Sequence, residues 1–355
     1  MAQAPTSPSR PLRVLALDGG GIRGIIPASV LAEVERRTGK RIAEMFDLIA
    51  GTSTGGILAL GLTTPDPATP TKPRHTADEL VALYAEKGGV IFGRSLGHRL
   101  LTLFGLLGSK YAVRGLERTL RAYFGESRLK DAVTEVLITS YNLESRDSWF
   151  LARHKARGDA ATNDFAMRDV ARATSAAPTY FRPERLSQNP ATAMVDGGVF
   201  ANNPAMCGYV ETIKLHGPQD IVVASLGTGE VKTPIHDRQA RVWGLIGWVR
   251  PLIGILMDGV AATVDHQMGW LLPPRSGQPR YFRFQVELPP GMGSMDDTSA
   301  AHIAALKQQA EQIIAANQAQ IDDLCVLLSD TQPASPDREA AAGPIGAPAI
   351  GVTPT

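Results

Sequence analysis

The chain predicts a layered α/β fold: a mostly parallel central sheet flanked by helices, in a single large domain. Three observations predict it. Short apolar runs end in glycine-rich turns and pass into segments of helical spacing; this order occurs twice in succession near the start; and the alternation continues to about residue 230. At 355 residues, 44% apolar and 20% charged, the chain can bury a substantial core.

The elements follow in order. Residues 12–17 (LRVLAL) form a first apolar run closed by Asp-Gly-Gly-Gly, and residues 27–37 then set Val30, Leu31 and Val34 at helical spacing. Residues 47–50 (DLIA) run into GTSTGG and ILALGL, again strand, tight turn, helix. Residues 63–75, rich in Pro and Thr, read as an exposed loop. Helices are expected at 76–88 and 112–124, and strands at 133–140, 147–152, 192–196 and 220–226. MRDVARATS and NPAMCGYVETIKLH fall between those strands as helices, 280–287 alternates like a strand, and 299–328 supports one or two closing helices. Residues 1–10 are expected to be disordered, as is the Pro, Ala and Gly rich segment 330–355, which leaves 11–329 as the folded domain.

Composition excludes several classes. With 36 basic and 35 acidic residues the net charge is +1, and no global field favours a nucleic acid polymer. The two cysteines, Cys207 and Cys325, are far apart and form no metal-binding pattern, so no metal is expected. The first ten residues lack an apolar signal region, and no run of 18 charge-free apolar residues occurs. The expected location is cytoplasmic, with peripheral membrane association.

Three pieces carry chemistry. Gly51-Thr52-Ser53-Thr54-Gly55 fits G-x-S-x-G, in which flanking glycines tolerate the strained strand-to-helix turn that pushes a hydroxyl outward. Its setting between DLIA and an apolar helix makes Ser53 the candidate nucleophile, and the helix start adds positive potential where negative charge develops. Gly19, Gly20 and Gly21, followed by Arg23 and Gly24, contain G-x-G-x-x-G, which alone suggests a dinucleotide site. That site would need an acidic residue at the carboxyl end of the second strand. Here Asp47 stands at the entrance and GTSTGG at the exit, so the better account is a loop whose N–H groups hold an oxyanion. Asp196, in a Val-Asp-Gly-Gly turn after another apolar run, can bring a carboxylate to the same sheet edge. Such turns are common, and alone this one assigns no role.

Together these residues resemble the patatin-like phospholipase family. ALDGGGIRGIIP, GTSTGG and VDGGVFANNP occur in that family's order, with ATSAAPTYF (173–181) and SLGTG (225–229) as further landmarks, over roughly residues 12–230. The resemblance implies Ser53 as nucleophile, Asp196 as its partner in a Ser-Asp dyad without catalytic histidine, and Gly19, Gly20 and Gly21 with Arg23 as the oxyanion-stabilising element. It further implies a calcium-independent, cofactor-free hydrolase of phospholipid or other acyl-lipid esters. Arg23 has two readings, contact with a lipid phosphate or tying the loop to a nearby carbonyl or carboxylate. Some bacterial relatives are effectors switched on by a cyclic nucleotide; a small-molecule nucleotide activator is therefore an expectation, although no nucleotide pocket is legible. A homo-oligomer is also compatible with the chain.

Alternatives stay open. A Ser-His-Asp esterase would take its base from His216, His236, His266 or His302, none of which lies in a short glycine-bounded loop after a strand. A non-catalytic lipid-binding module of the same fold and a dinucleotide-dependent enzyme are the others. Residues 242–257 (VWGLIGWVRPLIGILM), interrupted by a helix-breaking Arg250-Pro251, suit an interfacial lid with Trp243 and Trp248 at headgroup depth, or a buried helix pair. Residues 89–110 mix Phe and Leu with basic residues and suit docking on an anionic lipid surface, or a packed amphipathic helix.

Overall fold

Apolar residues in the strands alternate between two cores, so the sheet is covered on both faces. The computed structural model describes residues 10–91, 111, 113–186, 192–232 and 234–330. Strands β1 (Leu12–Leu17), β2 (Leu48–Thr52), β3 (Glu135–Asn142), β4 (Asp147–Ala152), β5 (Met194–Asp196), β6 (Ile221–Leu226) and β7 (Tyr281–Phe284) form one sheet. Its order is β4-β3-β2-β1-β6-β7, with β5 paired to β3. The β3–β2–β1–β6–β7 run is parallel, and β4 and β5 are antiparallel to β3.

On one face Leu15, Leu17, Ile49, Val136, Ile138, Val222 and Phe282 join the larger core. Covering them are helices α1 (Ile25–Thr38), α2 (Thr54–Thr63), α3 (Ala77–Ile91), α4 (Val113–Phe124) and α5 (Met167–Thr174). On the other face Val14, Ala16, Leu48, Ala50, Leu137 and Val223 meet α6 (Ala205–His216) and the end of α7 (Leu245–Leu271). Two-sided burial is why LRVLAL and DIVVASL read as continuous apolar runs. The chain closes with α8 (Ala300–Ala316) and α9 (Gln318–Ser329) on the larger core. There buried Arg13 donates to the carbonyls of Leu328 (3.2 Å), Asp330 (3.0 Å) and Leu327, which a helix C-terminus would otherwise leave unpaired.

Expected and observed elements agree closely, with one correction. Residues 245–271 form an unbroken helix that contains Pro251, where a break was expected. Proline removes the hydrogen bond to the carbonyl four residues earlier. That carbonyl belongs to Gly247, which is exposed, so water can satisfy it and the helix continues. The short helices Arg153–Gly158 and Ala160–Asn163 carry no amphipathic signal and were not foreseen. Of the lipid-docking segment 89–110, α3 takes in 89–91 and residue 92 onward to 110 lies outside the described residues, as do 1–9 and 331–355. Among the described residues no helix is long and apolar enough to cross a membrane.

Candidate active site

The register of β3 brings Ser53 and Asp196 together. Thr52, last residue of β2, pairs with Thr139 of β3. The next β3 residue, Ser140, pairs with Asp196 of β5. Because β4 occupies the other edge of β3, β5 takes over the edge that β2 vacates, and its carboxylate lands directly beyond the serine. Ser53 Oγ donates to Asp196 Oδ2 at 2.6 Å. Among the described residues no histidine hydrogen-bonds either side chain.

Ser53 holds its hydroxyl out by adopting φ 55° and ψ −121°, a left-handed backbone that is strained for a residue with a Cβ. The neighbours fix it there. The Ser53 N–H donates to Thr174 Oγ1 at 2.8 Å, and Thr174 donates in turn to the Thr139 carbonyl at 2.7 Å. Gly55 packs so closely under β1 that a Cβ would collide with the Leu17 carbonyl.

Asp196 is 4% exposed. Burial raises its pKa to about 6, against the opposing hydrogen bonds from Ser53 and from the Gly198 N–H. The second, from Gly198 N–H to Oδ1 at 2.8 Å, fixes the carboxylate plane. Its other oxygen is left for the serine.

The glycine loop sits over the pair. The Gly19 N–H is spent on the Asn202 carbonyl (3.1 Å) and the Ile22 N–H on the Met295 carbonyl (2.9 Å). The N–H groups of Gly20 and Gly21 have no described partner. Gly21 has φ 60°, and a Cβ there would strike the Met295 carbonyl, so glycine is required. Thr228 Oγ1 donates to the Gly19 carbonyl at 2.8 Å. Arg23 is buried, and its Nε reaches the Gly20 carbonyl at 3.4 Å, the loop-tying arrangement. Burial lowers its pKa, opposed first by Asp258 of α7. Ahead of the glycines, buried Asp18 receives two hydrogen bonds from Arg283 of β7, at 2.7 and 3.2 Å. Asp47, the only acid near a dinucleotide geometry in sequence, is tied at the opposite end of the sheet to Arg10 (2.7 Å) and to the Arg13 N–H (2.8 Å).

Every residue foreseen at this site is therefore gathered at one end of the sheet. Thr174, Asn202, Thr228, Arg283 and Met295 were missed as parts of it. ATSAAPTYF, VFANNP and SLGTG flagged the first three as landmarks; nothing in the sequence flags the last two. Beside the site, Met257 of α7 packs 3.2 Å from the place of a Gly198 Cβ. The same helix leaves Trp248, Leu252, Ile255 and Leu256 exposed, and Trp243 and Trp248 stack edge to face at 5.3 Å.

The sequence model described as patatin-like phospholipase matches residues 15–206. Patatin-like protein 2 of Oryza sativa subsp. indica is 32% identical over 351 residues, which cover 87% of this chain and 85% of that protein. A Solanum tuberosum protein described as probable inactive patatin-3-Kuras 1 is 29% identical over 330 residues, 85% and 86% of the two chains. Among solved structures, human GIVD cytosolic phospholipase A2 in complex with methyl gamma-linolenyl fluorophosphonate aligns with 90% of this chain and 59% of its own, at 12% identity and a TM-score of 0.40.

Proposed function

The chain belongs to the patatin-like phospholipase family, and from that premise we propose that it is a serine lipid acyl hydrolase of phospholipase A type, cleaving fatty-acyl esters of membrane lipids with a Ser53–Asp196 dyad. Membership alone does not carry the activity, since one relative is described as probably inactive. The observation that carries it is the 2.6 Å hydrogen bond from a strained, outward-held serine to a buried carboxylate.

In the reaction, Ser53 Oγ attacks the ester carbonyl as its proton passes to Asp196. The Gly20 and Gly21 N–H groups receive the oxyanion, with Arg23 holding the loop in shape. Collapse breaks the carbon–oxygen bond, and the proton on Asp196 leaves with the alcohol. Water then repeats the sequence against acyl-Ser53, passing one proton by way of Asp196 to Ser53 Oγ as the fatty acid is released. An ordinary aspartate, with a pKa of about 3.9, is a weak base near neutral pH. Burial corrects that by moving Asp196 to about 6.

The exposed apolar side chains of α7 beside Gly198 support a transient membrane contact at the mouth of the site, through which an acyl chain passes to Ser53. The test is product analysis by mass spectrometry on a membrane-lipid extract. Wild type releases fatty acid, while Ser53→Ala and Asp196→Asn release at least about 10³-fold less. An Asp196→Asn variant that keeps its activity and loses it only with one of the histidines overturns the dyad.

A further inference from the structure

One polar side chain at the reacting centre has no duty in that scheme. The Asn202 carbonyl accepts the Gly19 N–H, yet its carboxamide hydrogen-bonds no described residue, although Asn202 is only 8% exposed and Oδ1 is fully buried. A buried amide oxygen without a partner is costly, and native structures rarely tolerate one without cause.

Its position is specific. Asn202 Oδ1 lies 3.3 Å from the place of a Gly198 Cβ, and Asp196 Oδ1 lies 3.1 Å from the same place. On its other side Asn202 Oδ1 lies 2.5 Å from the place of a Gly19 Cβ, and Ser53 Cβ lies 3.2 Å from that. The carboxamide oxygen thus stands against Gly19 and Gly198, two glycines that also border Ser53 and Asp196. Neither of its ends is bonded to a described residue, so a half-turn about Cβ–Cγ presents either N–H or C=O without breaking a hydrogen bond among those residues.

Two oxygen atoms must stand beside Asp196 in turn. One is the ester oxygen that departs and takes the proton; the other is the water oxygen that arrives and gives one up. They use one place, because deacylation is acylation run backwards with water as the alcohol. We propose that Asn202 is a further catalytic residue, whose carboxamide donates an N–H to the departing oxygen in acylation and accepts a hydrogen from the entering water in deacylation. This rests on the serine hydrolase reading above. In acylation the Ser53 Oγ–carbon bond forms, the carbon–alkoxy bond breaks, and the Ser53 proton ends on the alcohol by way of Asp196. In deacylation the water oxygen–carbon bond forms, the Ser53 ester bond breaks, and one water hydrogen returns to Ser53 through Asp196 while the other stays on the new carboxyl oxygen, hydrogen-bonded to the Asn202 carboxamide oxygen. The need for both a donor and an acceptor explains an amide at this place.

The experiment compares wild type and Asn202→Ala on two esters of one fatty acid, a 4-nitrophenyl ester and a glycerol ester, with the state of Ser53 followed by intact mass. Nitrophenolate departs as a stabilised anion and needs no donor. Acylation by the nitrophenyl ester is therefore expected to fall less than about 3-fold and turnover of the glycerol ester about 10- to 100-fold. Acyl-Ser53 should also accumulate in the variant. Equal losses on both esters, no loss on either, or absence of the acyl-enzyme overturns the proposal. If the alanine variant does not fold, Asn202→Leu, with the same branching and no polar atoms, gives the same split. Failure of the underlying reading has a different signature: wild type then hydrolyses neither ester faster than Ser53→Ala.

Discussion

At Asp196 burial does two opposed things. It moves the carboxyl to about 6, which suits the proposed role of base, and it makes the folded protein hold a proton that the unfolded chain releases near 3.8. The sign follows from this. Between those values the native state binds more protons than the unfolded one, so this group's stabilising contribution is present at acid pH and is lost as pH rises through about 6. The amount is about 3 kcal/mol, a stability cost of function at neutral pH. The proposed catalysis runs the other way, because only the ionised carboxylate would accept the Ser53 proton. The kcat/KM for a soluble ester should fall about tenfold per pH unit below 6 and level off above it, which a pH–rate profile on wild type measures. A limb near 4, or one that moves with a histidine substitution, would separate the base from Asp196. Ser53 was legible in the sequence because a strained turn needs glycines at fixed offsets, and those offsets are local. Asp196 was legible only through resemblance, since an Asp-Gly-Gly turn says nothing of the strand edge to which it will dock. Thr174 and Asn202 act through contacts 121 residues from Ser53 and 183 residues from Gly19, and no local pattern encodes either.

Among the elements, the helix Leu245–Leu271 carries the proposed membrane contact. Trp248, Leu252, Ile255 and Leu256 recur at helical spacing and remain exposed, Leu256 at 55%, while Met257 of the same helix packs at Gly198 and Asp258 faces Arg23 electrostatically. A helix that is apolar outward and anchored inward beside Gly198 is consistent with the proposed contact at the headgroup boundary of a bilayer. Replacing Leu252 and Leu256 by Ser should weaken co-sedimentation with phosphatidylglycerol vesicles about tenfold or more, with hydrolysis of a soluble short-chain ester unchanged. Unchanged vesicle binding would assign that face to another partner. Sequence periodicity located most other elements because their apolar faces are buried at the expected repeat. It failed at Pro251, where the rule against proline in a helix presumes that the freed carbonyl has no access to water; the exposed Gly247 removes that premise.

Across the whole molecule, the first strand and the last helix depend on each other. Arg13 points from β1 into the larger core and donates to carbonyls at the end of α9, with burial lowering its pKa. Arg13→Met keeps the length and removes the donors, leaving buried carbonyls unpaired. The expected loss is about 2–4 kcal/mol, read as a lower midpoint in urea with an unchanged slope. Near-wild-type stability would show that water replaces the guanidinium. The two-faced sheet was legible from its continuous apolar strands, whereas this tie was not, because an arginine in a strand ordinarily reads as exposed. A related consequence concerns synthesis on the ribosome. Ser53 emerges 143 residues before Asp196, and the glycine loop proposed to receive the oxyanion is braced by the Met295 carbonyl, which emerges later still. A nascent chain shorter than 196 residues thus carries Ser53 without Asp196, and one shorter than 295 residues lacks the brace on the glycine loop. The proposed lipolytic site can therefore assemble only after residue 295 has been made.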